Sequence, residues 1–594
     1  MRPFLLLSLS LALCQAFHAD FNGTSIRDLR TEYDFVIVGG GSAGCRIADV
    51  LSSSGEFTVL VLEAGGVPPE SSKIPLLALM PYNSKEYDWI YRSVPQKTSM
   101  LAAKNKVRTL NAARNLGGGS TWNMMYYQRG NFEDYDRWER DFGAKGWGSK
   151  EVLELFKEVE GADDMELSDD FHGRHGPLGV TTFRDEYPLK EAFFEAAEKT
   201  LGLNYSDQND GNHWGSFHLT ATIKRGRRVS SFNAFIEPNL NRGNLHISLY
   251  SQVLKIDFED KRASGITIIK DGVRRSIRAS KEVVLSAGAF RSPQLLMLSG
   301  IGDEAHLKEF KIPLRSHLPG VGKNLQDHFG HVGILAKIPD DDVPDFDDVR
   351  GLKQWLFDQT GPFAKPPGVG LGLLYTSTGA DKRSPDVELI PQAAREDLLG
   401  SDLPDEMLRE YYGEFAGQSM LSFIHLVQKP KSRGELRLAS ADPIDYPQID
   451  MKYFSHPDDV KSAVSAAKQV VELLRSDTMR KAGVRLVEKH FPPCKEFDLF
   501  SEEYLSCLAT HHTVHVFHYC GTCRIGAQGD PLAVVDERLR VRGVDGLRVV
   551  DTSVIPSIPV GHLNAPVIMI ASKAGKMILE EYDDSRPRKA AGEL

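Results

Sequence analysis

Cysteine is scarce, with six in 594 residues, so this is not a small fold held together by disulfides. Outside the first few residues there is no uninterrupted apolar run of the roughly 18–20 residues that a bilayer-spanning helix needs. Positive charge is not in excess: 71 basic against 81 acidic side chains give a net charge of −10. That excludes the basic footprint of a nucleic-acid binder. No internal repeat and no long biased tract is present, which argues against solenoids and global disorder. What remains is an ordinary globular composition, 41% hydrophobic and 26% charged, on a chain long enough for two substantial domains.

The first residues read as a secretory signal. Arg2 precedes an apolar run from Phe4 to Leu13, and Cys14-Gln15-Ala16 offers small residues for cleavage after Ala16. The polar C-terminus from Arg586 to Leu594 has no apolar tail for a lipid anchor. A secreted, extracellular glycoprotein is therefore expected, and the sequons at Asn22 and Asn204 fit it. Removing Cys14 leaves five cysteines, of which Cys494 and Cys507 are the chosen disulfide pair and Cys45 is expected as a small buried hydrophobe.

Tyr33 to Val38 reads as a buried strand, followed by glycines, a helix from Ala43 to Ser53 and a second strand from Phe57 to Leu62. Residues 245–270 alternate as strands do, with a turn at Asp271-Gly272. Val283 to Ser286 is a further strand, and Ser292-Pro293 reads as the N-cap and first position of the helix after it. Residues 339–348 are acidic and proline-punctuated, hence a surface loop. Apolar positions at helical spacing predict a helix over 457–476.

Chemistry begins at Gly39-Gly40-Gly41-Ser42-Ala43-Gly44. Gly39, Gly41 and Gly44 form G-x-G-x-x-G between strand and helix: one glycine for the tight turn, one for close approach to a pyrophosphate, one for helix–strand packing. Free N–H groups at the helix start favour an anion there. Glu63 ends the second strand at the distance of a ribose-binding carboxylate. This unit implies a dinucleotide and does not separate FAD from NAD. A second cluster, Arg114 to Asn123, sets Gly117, Gly118 and Gly119 before Ser120, Thr121 and Asn123, which suits backbone laid against a flat ligand or a flexible loop. Ala287 and Gly288 fall where strand passes into helix, close to any such ligand.

Taken together these stretches resemble the glucose–methanol–choline (GMC) oxidoreductases, a family of flavoproteins. The similarity extends through Gly288 to Gly302, Leu318 to His328, Ser432-Arg433-Gly434 with Asp442-Pro443, and the run 518–571, so that it spans roughly residues 33–580. Ala113, Gly119 and Met124 depart from the family's usual residues. The resemblance implies an α/β fold with a discontinuous Rossmann-type FAD-binding domain (33–154, 232–330, 512–582) and an α+β substrate domain with a mainly antiparallel sheet (155–231, 331–511). It implies FAD held by Gly39, Gly41, Ser42, Gly44, Glu63, Gly117, Gly118, Ser120, Asn123, Val253, Ala287, Gly288, Asp551 and Asn564. Some members attach FAD through a histidine; Trp122 stands at that position, which implies non-covalent FAD.

His518, in His518-Tyr519-Cys520-Gly521-Thr522-Cys523, matches the family's catalytic histidine, and His562, in Gly561-His562-Leu563-Asn564, matches its partner. A histidine suits the work because its ordinary pKa lies near neutral pH. The implied activity is oxidation of a small-molecule alcohol or sugar by hydride transfer to flavin N5, with oxygen or a quinone-like acceptor. A flavin-containing lyase and a catalytically inactive secreted flavoprotein are the alternatives on the same scaffold. No metal site is expected, because His511, His512 and His515 lack partners at ligand spacing. Cys520 and Cys523 are not expected to act as a redox dithiol, and Lys224 to Arg228 is expected as a solvated turn.

Overall fold

The computed structural model describes residues 23–25, 27–184, 187, 189–339, 349–367, 371–379, 384–394 and 402–582. The expected signal segment 1–16, the sequon at Asn22 and all but the first residue of the acidic loop 339–348 lie outside them. Among the described residues no helix is long and apolar enough to cross a membrane.

The chain opens with strand β1 (Glu32–Val38), helix α1 (Ser42–Ser52) and strand β2 (Val59–Leu62). Both strands are near-continuous apolar runs, the pattern of parallel strands covered on both faces. They are joined by β3 (Leu245–Ser248), β4 (Gln252–Glu259), β5 (Arg262–Lys270) and β6 (Val273–Leu285). The order is β3-β2-β1-β6, all parallel, and Leu547–Val549 adds a parallel strand to the end of β6. The first half of β6 belongs to an antiparallel meander with β5 and β4, turned at Asp271-Gly272.

Helix α2 (Gly288–Leu298) follows β6 and starts five residues earlier than Ser292 as N-cap and Pro293 as first position suggested. The reason is local. Ser292 Oγ accepts from the Ala287 N–H at 3.1 Å, so it ties down the helix start from inside the first turns. Pro293 has no N–H to give the Ala289 carbonyl; the Thr522 hydroxyl donates to that carbonyl instead, at 2.6 Å.

The second sheet has eight antiparallel-paired strands. Its middle is β7 (Val387–Ala394) against β8 (Met420–Val427), flanked by Leu373–Thr376 and Gly215–Phe217 on one side and Leu335–Lys337 on the other. Phe329–His331 bridges β8 to Thr513–His515. Side chains alternate between faces. Leu389, Leu421 and Phe423 pack with Val470 and Leu474 of helix α3 (Pro457–Arg475). Ile390 and Leu426 pack on the opposite face with Tyr126, Tyr375 and Val560. Helix α3 forms where its periodicity placed it: the His456 side chain accepts from the Asp458 N–H, Pro457 takes the first position, and Asp458 and Asp459 face the positive end of the dipole.

Cys494 and Cys507 form a disulfide. Cys45, Cys520 and Cys523 are free and buried, and the Cys45 thiol donates to Gly40 O at 3.2 Å. Burial pushes the Cys520 and Cys523 thiols well up, the reverse of what a redox dithiol needs. The basic run departs from expectation at one residue. Lys224, Arg225 and Arg227 are exposed, but Arg228 is buried and its guanidinium donates to Ser72 O, Ser120 O and Asn123 Oδ1. A guanidinium clamping two separate segments, at Ser72 and at Ser120–Asn123, is a structural pin rather than a solvated turn.

Candidate active site

The two glycine clusters meet each other. Gly39 has φ +101°, and a Cβ there would lie 2.4 Å from Ser286 O. A Cβ on Gly44 would lie 1.9 Å from Gly39 O, so α1 closes tightly on the strand end. The Gly117 N–H donates to Gly40 O at 2.7 Å, and Gly118 sits against Gly41. Toward the outside the cradle is open: a Cβ on Gly119 or Gly288 would meet nothing within 4 Å.

Three helix starts converge here. Ser42 Oγ donates to Asn564 Oδ1 at 3.1 Å, which joins the start of α1 to that of α4 (Asn564–Tyr582). The buried Asp551 carboxylate accepts from the Gly288 N–H at 2.9 Å and the Ser292 hydroxyl at 2.6 Å, which locks the start of α2 beside them. The positive dipole ends of three helices meet at one place, an arrangement that suits a phosphate-bearing ligand, although the start of α2 is already capped by Asp551. Glu63 is buried at the end of β2, accepting from the Gly40 and Gly65 N–H groups at 2.9 and 2.8 Å. Its burial pushes the carboxyl up to about 7 against those hydrogen bonds. Glu63 O accepts from the Ser251 N–H at 2.8 Å, which brings the start of β4, with buried Val253, to the same side. Ser120 Oγ donates to Gly117 O at 2.6 Å and accepts from the Ser231 N–H at 2.9 Å, while Asn123 is held by Arg228. Asn115 Nδ2 and Trp122 Nε1, on the second glycine loop, are buried without a protein partner. Open space, helix starts and orphaned donors fit a bound dinucleotide.

His518 and His562 come from different loops and meet with ring centroids 4.5 Å apart, edge to face. The His518 N–H donates to Asp327 Oδ1 at 2.8 Å. Its Nδ1 lies 2.9 Å from Nδ1 of His328, whose Nε2 lies 3.1 Å from Gln428 O. A carbonyl only accepts, so His328 carries its proton on Nε2. Burial holds His328 down at about 3, so it is neutral and its Nδ1 is an acceptor. His518 must therefore donate from Nδ1. Burial, and then the neighbouring His562 and His328, hold His518 well below the usual histidine range. It is neutral, and its Nε2 carries a free lone pair.

His562 is held from behind. Its Nε2 donates to the buried Glu388 Oε1 at 3.2 Å, and its backbone N–H donates to Gln128 Oε1 at 2.9 Å. Gln428 completes the frame: Nε2 donates to Glu388 Oε2 at 2.8 Å, and Oε1 accepts from the Gly561 N–H at 2.8 Å. Motif reading did not find His328, Glu388, Gln428 or Gln128 as site residues. The signal for Glu388 was present, as a lone carboxylate inside the apolar run Val387 to Ile390; such a charge is buried only with a partner.

The other histidines scatter. His511 Nδ1 lies against Cys507, His512 stacks on Phe491, and His515 is buried near Asp327. Among the described residues only Cys494, Cys507 and His511 group as metal ligands would, and the two sulfurs are joined to each other.

An α/β protein with a Rossmann-type dinucleotide cradle and a close pair of histidines, His518 buried and His562 partly so, is the class defined so far. Comparison with known proteins makes it specific. The N-terminal and C-terminal profiles of the GMC oxidoreductases match residues 33–330 and 430–571. The chain is 34% identical over 557 residues to a glucose dehydrogenase [FAD, quinone] of Drosophila melanogaster, covering 92% of this chain and 87% of that one. It is 36% identical over 557 residues to an oxygen-dependent choline dehydrogenase of Sinorhizobium medicae, covering 92% and 95%. A solved pyridoxine 4-oxidase from Mesorbium loti superposes with a TM-score of 0.76 at 28% identity, over 93% of this chain and 99% of that one. This chain belongs to the GMC oxidoreductase family.

Proposed function

We propose that this protein is an FAD-dependent oxidoreductase acting on CH–OH donors, with His518 as the base that takes the hydroxyl proton. The observation that carries the base assignment is the proton order of the histidine row, which leaves Nε2 of a neutral His518 bare beside His562. FAD, when bound, supplies the hydride acceptor. Gly39, Gly41, Ser42 and Gly44 with Asn564 would hold its pyrophosphate at the helix starts; Glu63 and Val253 would meet its adenosine half; Gly117, Gly118, Ser120, Asn123, Ala287, Gly288 and Asp551 would shape the rest of the cradle. Trp122 offers no nitrogen that bonds covalently to the ring, so acid precipitation should release all the flavin.

His562 acts through Nδ1. Its Nε2–H is committed to Glu388, so the opposite side of the ring is the one presented to the substrate oxygen. The disulfide and the exposed Asn204 support an oxidising, extracellular setting.

The test is anaerobic mixing of the purified holoprotein and of H518A with alcohols while flavin absorbance is followed. Flavin bleached in the parent, and bleached at least about 10²-fold more slowly in H518A at unchanged flavin content, is expected of a general base. Equal rates would remove His518 from the chemistry. A flavin that no alcohol bleaches would turn the reading toward a lyase or an inactive protein.

A further inference from the structure

Behind the residues that hold His562 lies a separate group of charges. The stretch from Tyr126 to Arg129 is extended and pairs with Thr220 and Ala221, so its side chains alternate in direction. Tyr126 and Gln128 face the histidines. The Tyr126 ring lies against His562 at 4.8 Å, and Gln128 Oε1 accepts from the His562 N–H at 2.9 Å and from the Tyr375 hydroxyl at 2.7 Å. Tyr127 and Arg129 face away. There the Arg129 guanidinium pairs with Glu160 at 2.5 Å and donates to the Tyr127 hydroxyl at 3.2 Å and to Phe171 O.

His172 sits between two carboxylates. Its Nδ1 lies 3.0 Å from Glu160 Oε1 and its Nε2 lies 2.8 Å from Asp207 Oδ2. Ionised carboxylates only accept, so both ring nitrogens donate and the ring is an imidazolium. Burial works against that charge, but the hydrogen bonds to Asp207 and Glu160 outweigh it and hold His172 above the usual histidine range. Arg129 and His172 thus balance Glu160 and Asp207. The side chains of Arg129, Glu160 and His172 are fully enclosed, and Asp207 reaches the edge at 21% exposure. Removing one cation leaves an uncompensated carboxylate in a setting where such a charge is strongly destabilising.

The cluster is tied to the chain on both sides of Gln128. Asp207 Oδ1 accepts from the Asn209 N–H at 2.9 Å, and Asn209 Oδ1 accepts from the Arg129 N–H at 2.9 Å. Gln208 Nε2 and Asn209 Nδ2 donate to Tyr127 O at 3.1 and 3.3 Å. The same loop runs on to His213, whose ring meets Tyr375 edge to face at 4.5 Å. The backbone before and after Gln128 is therefore fixed from the side of His172, and Gln128 in turn holds the backbone of His562.

We propose that His172 is a positioning residue: as the fourth charge of this cluster it keeps Gln128, and through Gln128 the backbone of His562, where the reaction needs them. This rests on His562 serving the oxidation of alcohols. H172Q leaves the cluster with one negative charge in excess, and H172Q/D207N is balanced again. The holoproteins are mixed anaerobically with an alcohol that reduces the parent, and the limiting rate of flavin reduction is read apart from the apparent alcohol affinity. H172Q should show a limiting rate about tenfold lower, the scale of a small misplacement of a reacting group, with affinity and flavin content unchanged. H172Q/D207N should return to within about threefold of the parent, the signature of coupled charges. An H172Q that reduces at the parental limiting rate, or a double variant no faster than the single one, overturns the proposal. Should H172Q yield no holoprotein, Asn209→Ala cuts only the link from Asp207 to the Arg129 N–H and leaves all four charges in place. A several-fold lower limiting rate in that variant upholds the proposal, and a parental rate overturns it. A parent that no alcohol reduces rejects the oxidation reading and the positioning role with it, whereas a reduced parent with insensitive variants rejects the positioning role alone.

Discussion

His328 and His518 face each other Nδ1 to Nδ1 at 2.9 Å, and the proton between them belongs to His518 because His328 spends its own on Gln428 O. The lone pair assigned to catalysis therefore depends on a residue one step further from the substrate. Replacing His328 by Phe removes the acceptor and frees His518 to take the other tautomer. Alcohol-dependent flavin reduction should fall on the order of 10²-fold, the scale of lost general-base catalysis. H328N, whose amide oxygen can stand near the lost Nδ1, should recover most of it. Stopped-flow reduction across a pH series checks both; a fully active H328F would refute the proton order.

Glu388 fixes His562 through a buried charge-assisted hydrogen bond. Glu388→Gln keeps the shape and removes the charge. Hydrogen bonds to charged groups contribute about 1.5–3 kcal/mol, so the limiting reduction rate should drop roughly 10- to 100-fold. The oxidised flavin spectrum should stay unchanged. A change confined to flavin content would mean that Glu388 only supports the fold.

Gly44 has no room for a methyl group, because its Cβ would fall 1.9 Å from Gly39 O. The obstacle is backbone, so α1 would have to shift away from the turn that faces the pyrophosphate. Gly44→Ala should be purified with little or no flavin, measured as the ratio of flavin to protein absorbance. Full occupancy would show that the turn tolerates the shift.

Asp327 is buried and accepts from the His518 N–H and from the Tyr453 hydroxyl; burial pushes its carboxyl up to about 8. The unfolded chain ionises near about 3.9, so between those values the native state holds one proton more. The Asp327 contribution to stability is then fully present at low pH, declines as pH rises from about 4 to about 8, and is level above. D327N should lack that slope. Urea unfolding of both proteins at about pH 5 and about pH 9 should show the variant gaining on the parent at the higher value; parallel behaviour would place Asp327 as an ordinary ionised carboxylate.

The disulfide closes Cys494 to Cys507 over 13 residues beside the helix Glu502–His511. Loop-closure entropy for a ring of that size is worth about 3 kcal/mol. The double Ser variant should unfold at a lower temperature by calorimetry, with flavin reduction by alcohol intact. Loss of reduction at full stability would tie the disulfide to the site.

The cradle was legible in the sequence to the extent that its chemistry is local. A glycine that must turn, a carboxylate that must end a strand and a helix start that must meet an anion occur at fixed offsets, so the unit from Tyr33 to Glu63 could be read residue by residue. Helix α3 was legible for the same reason, since its period and its caps lie within one segment. The start of α2 was not. Ser292-Pro293 satisfies the local rule for a helix start, but Thr522, more than two hundred residues away, supplies the donor that Pro293 lacks and lets the helix begin earlier. Arg228 was misread likewise, because the acceptors that bury it come from residues 72, 120 and 123.

The sequence by itself determined the family, the α/β class and the two histidines that family motifs mark. Only the tertiary structure decided how those histidines are protonated and held. His328, Glu388, Gln428 and Gln128 come from four separate segments, and each acts through a hydrogen bond to a partner distant in the chain. No spacing rule connects such residues. Their roles exist only once the two sheets have packed, excluded water and left each buried donor and acceptor with a single way to be satisfied.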